Sequence, residues 1–129
     1  MTRTVVYSAP TLAILLAVVG PASGTGRAQD YVTVDPQHYK VELENSQIRV
    51  VRCKYGPHEK SGVITQPDRL AVFFTDFHVR ISVPNGKSRE VQAHAGETKW
   101  GLAETHAVEN LSDQTMELLL IESKPGQRK

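Results

Sequence analysis

A pair of alternating runs joined by a turn narrows the fold most. Residues 78–83 (HVRISV) place Val79, Ile81 and Val83 on one side and His78, Arg80 and Ser82 on the other. A period of two is the pattern of a half-buried strand. Pro84-Asn85-Gly86-Lys87 follows at once, and the chain returns as Ser88–Ala93. Asn-Gly between two such runs predicts a hairpin with a type I′ turn, because both residues tolerate its positive φ.

Other short runs repeat the theme. Ile48–Tyr55 (IRVVRCKY) is β-branched and alternating, and the adjacent Val50 and Val51 predict a bulge or a strand buried on both faces. Residues 70–74 (LAVFF) are apolar and bounded by Pro67-Asp68 and Thr75-Asp76. Shorter candidates lie at 41–43, 98–100 and 105–109, and a longer one at 116–122. Leu118, Leu119, Leu120 and Ile121 suit a strand covered on both sides. A helix over 114–121 is the rival, and the surrounding β pattern speaks against it. Short strands punctuated by turn signals every 8 to 12 residues or so predict one small all-β sandwich, barrel or jelly roll.

The two ends read differently. Arg3, the apolar run 12–19 (LAILLAVV) and the small residues Pro21-Ala22-Ser23-Gly24-Thr25-Gly26 have the layout of a secretory signal peptide. Cleavage after Ala28 fits, with Ala22-x-Gly24 as the alternative site. The apolar run is much shorter than the roughly 20 residues that span a bilayer. Export to the periplasm or the medium is therefore expected, with no stable membrane anchor after cleavage. The expected divisions are a signal peptide at 1–28, a lead-in at 29–45, the barrel at 46–123, and a polar tail at 124–129 that frays around Pro125-Gly126.

Charge excludes one class of partner. Residues 1–28 carry Arg3 and Arg27 and no acid, so 15 Lys and Arg become 13 against 14 acids. A near-neutral chain with interspersed charges lacks the basic field that nucleic acid requires. Cys53 is the single cysteine, so no internal disulfide can form, and a lone strand cysteine behaves as a small buried hydrophobe.

A second kind of pattern runs from Tyr55 to Glu122. Gly56-Pro57-His58-Glu59-Lys60-Ser61-Gly62 and Pro67-Asp68-Arg69-Leu70-Ala71-Val72-Phe73 resemble the first cupin motif, and Gly96, His106 and Asn110 resemble the second. The hairpin Pro84-Asn85-Gly86-Lys87 sits where such cupins join their motifs. The gap from Gly96 is slightly short and the proline of the second motif is absent. The resemblance implies a double-stranded β-helix of the jelly-roll type, with dimers formed by exchanging or adding strands.

The departures from the family pattern concern the metal. Anchoring on Pro67-Asp68 puts the family's paired histidines at Ile64 and Gln66 and its acid at Leu70 or Ala71, leaving His106 as the surviving ligand. An aliphatic chain offers no lone pair and an amide only a neutral oxygen. No tightly bound metal or other cofactor is expected. The alternative register takes His58-x-Lys60 as the motif, but an ammonium repels a cation.

The candidate ligand-binding residues are His106, Gln66, Trp100 and His58. His106 is expected inside the barrel, bonded to an amide such as Gln66. Trp100 serves as a plug or rim residue, or as a flat wall for a ring. His58 and Glu59 decorate a solvated loop unless they reach the site. His78 and His94 are expected at the surface, and His38 carries no motif. Two functions follow. The first is a metal-free binding or structural module, for a small organic ligand or a partner subunit in a homodimer. The alternative is a metal-dependent oxygenase, isomerase or lyase that uses His106 with ligands such as His58 or Glu104.

Overall fold

The computed structural model of the protein describes residues 29–125. The stretch read as a signal peptide, 1–28, lies outside the described residues, as does the tail from 126 to 129. A short helix, α1 (Tyr31–Val34), precedes nine strands. They are β1 (Tyr39–Glu44), β2 (Ile48–Tyr55), β3 (Ile64–Gln66), β4 (Arg69–Phe73), β5 (Phe77–Ser82), β6 (Ser88–Ala93), β7 (Thr98–Gly101), β8 (Glu104–Asn110) and β9 (Met116–Ser123).

The strands form two antiparallel sheets, ordered β1-β2-β9-β4-β7 and β3-β8-β5-β6. Alternation decides which rows meet. Val51, Cys53 and Tyr55 of β2, Leu118 and Leu120 of β9, and Ala71 and Phe73 of β4 are buried. Val79 and Ile81 of β5 and His106 and Val108 of β8 are buried opposite them. The intervening residues of β9, Leu119 and Ile121, are only partly covered, and in place of the helix rival for 114–121 the chain is strand from Met116 onward.

Three local expectations are corrected. The hairpin turn is not type I′. Gly86 has φ 95°, whereas Asn85 does not enter the positive region. Gly86 N–H donates to Val83 O at 3.0 Å and Val83 N–H donates to Lys87 O at 2.9 Å. This is a three-residue loop, a type I turn closed by a left-handed glycine. Pro84 sets it, because its ring fixes φ near −65°, the value needed at the first central position of type I.

The irregularity expected at Val50-Val51 falls on the partner strand. Val41 faces Val51 and Leu43 faces Val50, so Glu42 of β1 is the unpaired residue. Val51 is wholly buried and fixes the register of β2. The extra residue goes to edge strand β1, where its polar groups can face water.

The segment 29–45 is no mere lead-in. Tyr31 is 1% exposed and donates its hydroxyl to Glu122. Glu122 also accepts from Arg49 Nε at 3.0 Å, and Arg49 reaches Asp30 with Nη1 at 2.7 Å and Nη2 at 2.9 Å. The Tyr31 ring packs edge-on against Tyr39 at 4.9 Å. β1 then forms one edge of the five-stranded sheet. Among the described residues no helix is long and apolar enough to cross a membrane.

Candidate functional site

Between the sheets lies a cavity of about 200 Å³. Its apolar lining includes Phe73, Phe77, Ile81, Leu118 and Leu120, with Gln66 and His106 as interior polar groups. Arg69, Arg89 and Lys99 supply positive charge at its border. Strand pairing explains how each arrives. Arg69 has the same parity along β4 as the buried Ala71 and Phe73. Lys99 pairs with Ala71 and Arg89 pairs with Ile81, so the edge strands β7 and β6 each turn one base toward the interior.

β3 and β8 hold the polar centre. Ile64 faces His106 and Gln66 faces Glu104 across the ladder. His106 is 1% exposed, with Nε2 2.8 Å from Gln66 Oε1 and Nδ1 2.8 Å from Glu104 Oε1. Glu104 also receives Arg89 through both Nη atoms, at 3.1 and 2.8 Å. Arg89 and then His106 pull the Glu104 carboxyl down to about 2. Burial lowers the His106 imidazole below its ordinary value, against the pull of Glu104. An imidazolium donates to both oxygens, whereas a neutral ring donates through one nitrogen only. In the neutral state Nδ1–H goes to the carboxylate, and Gln66 must turn its amide N–H toward Nε2.

This donor set does not fit a transition metal. Ile64, Gln66 and Ala71 or Leu70 stand where the cupin resemblance places ligands. The structure turns Ile64, Gln66 and Ala71 inward and leaves Leu70 on the opposite parity. Both nitrogens of His106 are engaged by neighbours. Among the described residues, no group of three or more His, Cys, Asp and Glu side chains is placed to hold a metal.

Of the four candidate ligand residues, His106 and Gln66 converge. Trp100 edges the cavity, although its pairing with Leu70 puts it in the sheet's outer row, and 59% of it is exposed. His58 is corrected: it lies away from the cavity on an exposed loop, at φ 60°, with Nε2 2.6 Å from Asp113 Oδ1. The loop turns outward because Glu59 caps it, Gly56 N–H donating to Glu59 Oε1 at 2.7 Å.

Cys53 is buried against the cavity, and burial pushes its thiol up, away from nucleophilic reactivity. Asn110 serves the frame, donating to Gly56 O at 3.0 Å and to Gln114 O at 2.8 Å. His94 and His78 are surface residues as expected, His78 lying 2.8 Å from Glu90.

The sequence reading missed two features. His38 is 4% exposed, stacked on Tyr55 at 3.9 Å and bonded to Asp35 at 2.8 Å. Nothing in its neighbourhood of sequence signals that. Arg69, Arg89 and Lys99, which border the cavity, drew no assignment from the sequence. The available signal was parity along the strand, of Arg69 with Ala71 and Phe73 and of Arg89 with Val91 and Ala93.

No family model matches the chain, and no curated protein matches it. Solved structures do. A cupin domain from Bordetella pertussis Tohama I superposes with a TM-score of 0.61 at 24% identity, over 67% of this chain and 91% of that one. A double-stranded β-helix protein from Klebsiella pneumoniae covers 84% of this chain and 85% of its own, with a TM-score of 0.53 and 14% identity. An enzyme, oxalate decarboxylase, gives a TM-score of 0.51 at 18% identity, over 67% of this chain but 26% of its own. The fold thus carries both enzymes and proteins of no stated activity. The two sheets, their order and these superpositions agree: the chain has the double-stranded β-helix fold of the cupins.

Proposed function

We propose that the chain is an exported, metal-free barrel that binds a small organic ligand in its cavity. The observation that carries this reading is the His106–Gln66 pair at 2.8 Å, set above an apolar floor in about 200 Å³ of space. A site of that kind, apolar with a few convergent polar groups, orients a ligand without needing an ion. About 150 Å³ is enough for a benzene-sized guest. The direct test is metal analysis of protein purified from the exported fraction, together with N-terminal sequencing. Less than stoichiometric iron, manganese, nickel and zinc, and an N-terminus at Gln29, support the reading. Stoichiometric metal that disappears in His106→Ala would replace it with the metal-dependent enzyme.

A second role, pairing with another copy, has its own observation. Leu43, Val50, Ile121, Leu70 and Trp100 are linked by register into one row across the five-stranded sheet. Leu43 and Trp100 are 50% and 59% exposed. An apolar row of this length on an outer face suits a homodimer contact. Sedimentation of wild type against Trp100→Glu tests it: a dimer that dissociates in the variant supports the contact, and a wild-type monomer removes it.

A further inference from the structure

Arg69 is the anomaly of the cavity. Nη1 donates to the carbonyls of Pro67 at 3.1 Å and Leu102 at 2.8 Å, which ties together the turns before β4 and after β7. Nε and Nη2 have no hydrogen-bond partner among the described residues, and no carboxylate there pairs with the guanidinium. A guanidinium carries five N–H donors, and Arg69, half-buried at the cavity and without an anion, leaves part of its fork unspent. Arg52, Arg80, Arg89 and Arg49 all have carboxylate partners. Arg69 differs from them while also lining the cavity.

The chain makes room for this arrangement. An ideal Cβ on Gly101 would stand 2.9 Å from Arg69 Cζ, 3.1 Å from Nη2 and 3.2 Å from Nε. The guanidinium lies over the bare backbone of Gly101, its cross-strand partner. The local charge is also one-sided. Arg69, Arg89 and Lys99 border the cavity, and the facing acid, Glu104, is already committed to Arg89 and His106.

We propose that the cavity takes a small monocarboxylic acid with an apolar body. Its carboxylate sits on the free edge of the Arg69 fork, and its body lies against Phe73, Phe77 and Leu118. This rests on the reading of the barrel as a small-molecule binder and names the class of ligand. A planar carboxylate matches two parallel N–H donors of a guanidinium. The apolar floor favours an acid with an apolar body over a phosphate, whose further oxygens would lie against Phe73, Phe77 and Leu118 without donors.

The test is calorimetric titration of the purified protein with phenylacetate, its neutral isostere phenylacetamide and the cation 2-phenylethylamine. The acid should bind about tenfold or more tighter than the amide, as a charge-assisted bidentate contact requires, with the amine weakest. Arg69→Gln should bring the acid down to the amide's affinity, costing the acid far more than the amide. Arg69 also holds two turns, so Gly101→Ala provides a second route. A methyl there displaces the end of a flexible side chain rather than backbone, and it should remove the acid's advantage in a folded protein. Equal affinity of acid and amide for wild type overturns the carboxylate assignment and leaves the binding barrel standing. An acid preference that survives both variants overturns the role of Arg69. Failure of all three probes to bind overturns both readings.

Discussion

The imidazole of His106 and the amide of Gln66 meet at 2.8 Å inside the barrel, from neighbouring strands β8 and β3. Both side chains are nearly solvent-free, at 1% and 4% exposure. A buried polar atom deprived of its partner keeps its desolvation penalty. Gln66→Leu strands Nε2 of His106, and urea unfolding should show a loss of about 1–3 kcal/mol. Gln66→Glu should act in the opposite direction on the ring. A second carboxylate beside the imidazole favours the charged form, so nitrogen NMR should report a His106 pKa higher than in wild type.

The same strand pair offers a gain-of-function test. Ile64 stands directly across from His106, and Gln66 lies two residues further along the same face of β3. Cross-strand neighbours have Cβ atoms roughly 5 Å apart, close enough for imidazoles to share an ion at about 2 Å. Ile64→His combined with Gln66→His should raise nickel or zinc affinity by at least about tenfold over wild type, read by calorimetry. No gain would mean that these positions do not converge as the ladder implies.

Much of the frame was legible because strand burial repeats with the simplest period. Ile48–Tyr55 and Ser88–Ala93 appear in the structure with the bounds that alternation predicts. Gln66 and His106 were legible through a resemblance in motif order. Three-dimensional pairing supplied what local pattern could not. β3 is three residues long, too short for any period to show. Arg69 drew no interior assignment because its half-buried place depends on Gly101, 32 positions away in sequence and opposite it in the sheet. His38 and Tyr31 are buried by Tyr55 and Glu122, again distant in sequence.

Residues Asp30 and Tyr31 clasp the far side of the barrel through Arg49 and Glu122. Glu122 is 7% exposed and meets Arg49 at 3.0 Å. Arg49→Met leaves that carboxylate without its cation, and breaking such a pair costs about 3–5 kcal/mol. Tyr31→Phe removes one hydroxyl while Arg49 stays in place, and should cost about 1 kcal/mol. Equal losses in urea unfolding would show that the tyrosine hydroxyl matters as much to the clasp as the guanidinium, contrary to this ordering. The ordering also predicts that truncation to residue 46 destabilises the fold severely, since it deletes both Tyr31 and the whole of β1.

Acid should loosen the barrel in two stages. His106 is held below its ordinary 6.5 by burial, so the unfolded chain takes up this proton first. Its contribution is complete above 6.5 and declines as pH falls toward the depressed folded value. Glu104, ordinarily 4.5 and held at about 2 by Arg89 and His106, keeps its contribution above 4.5 and surrenders it as pH drops toward 2. Both groups therefore act in the same direction, and stability rises with pH through both windows. His106→Gln removes the upper titration, so its difference in unfolding free energy from wild type should shrink between about pH 7 and pH 5. Arg89→Gln removes the main cause of the lower one and should flatten the fall below pH 4.5. A difference between wild type and His106→Gln that stays constant from pH 7 to pH 5 would mean the imidazole titrates alike in folded and unfolded chains, contrary to its burial beside Gln66.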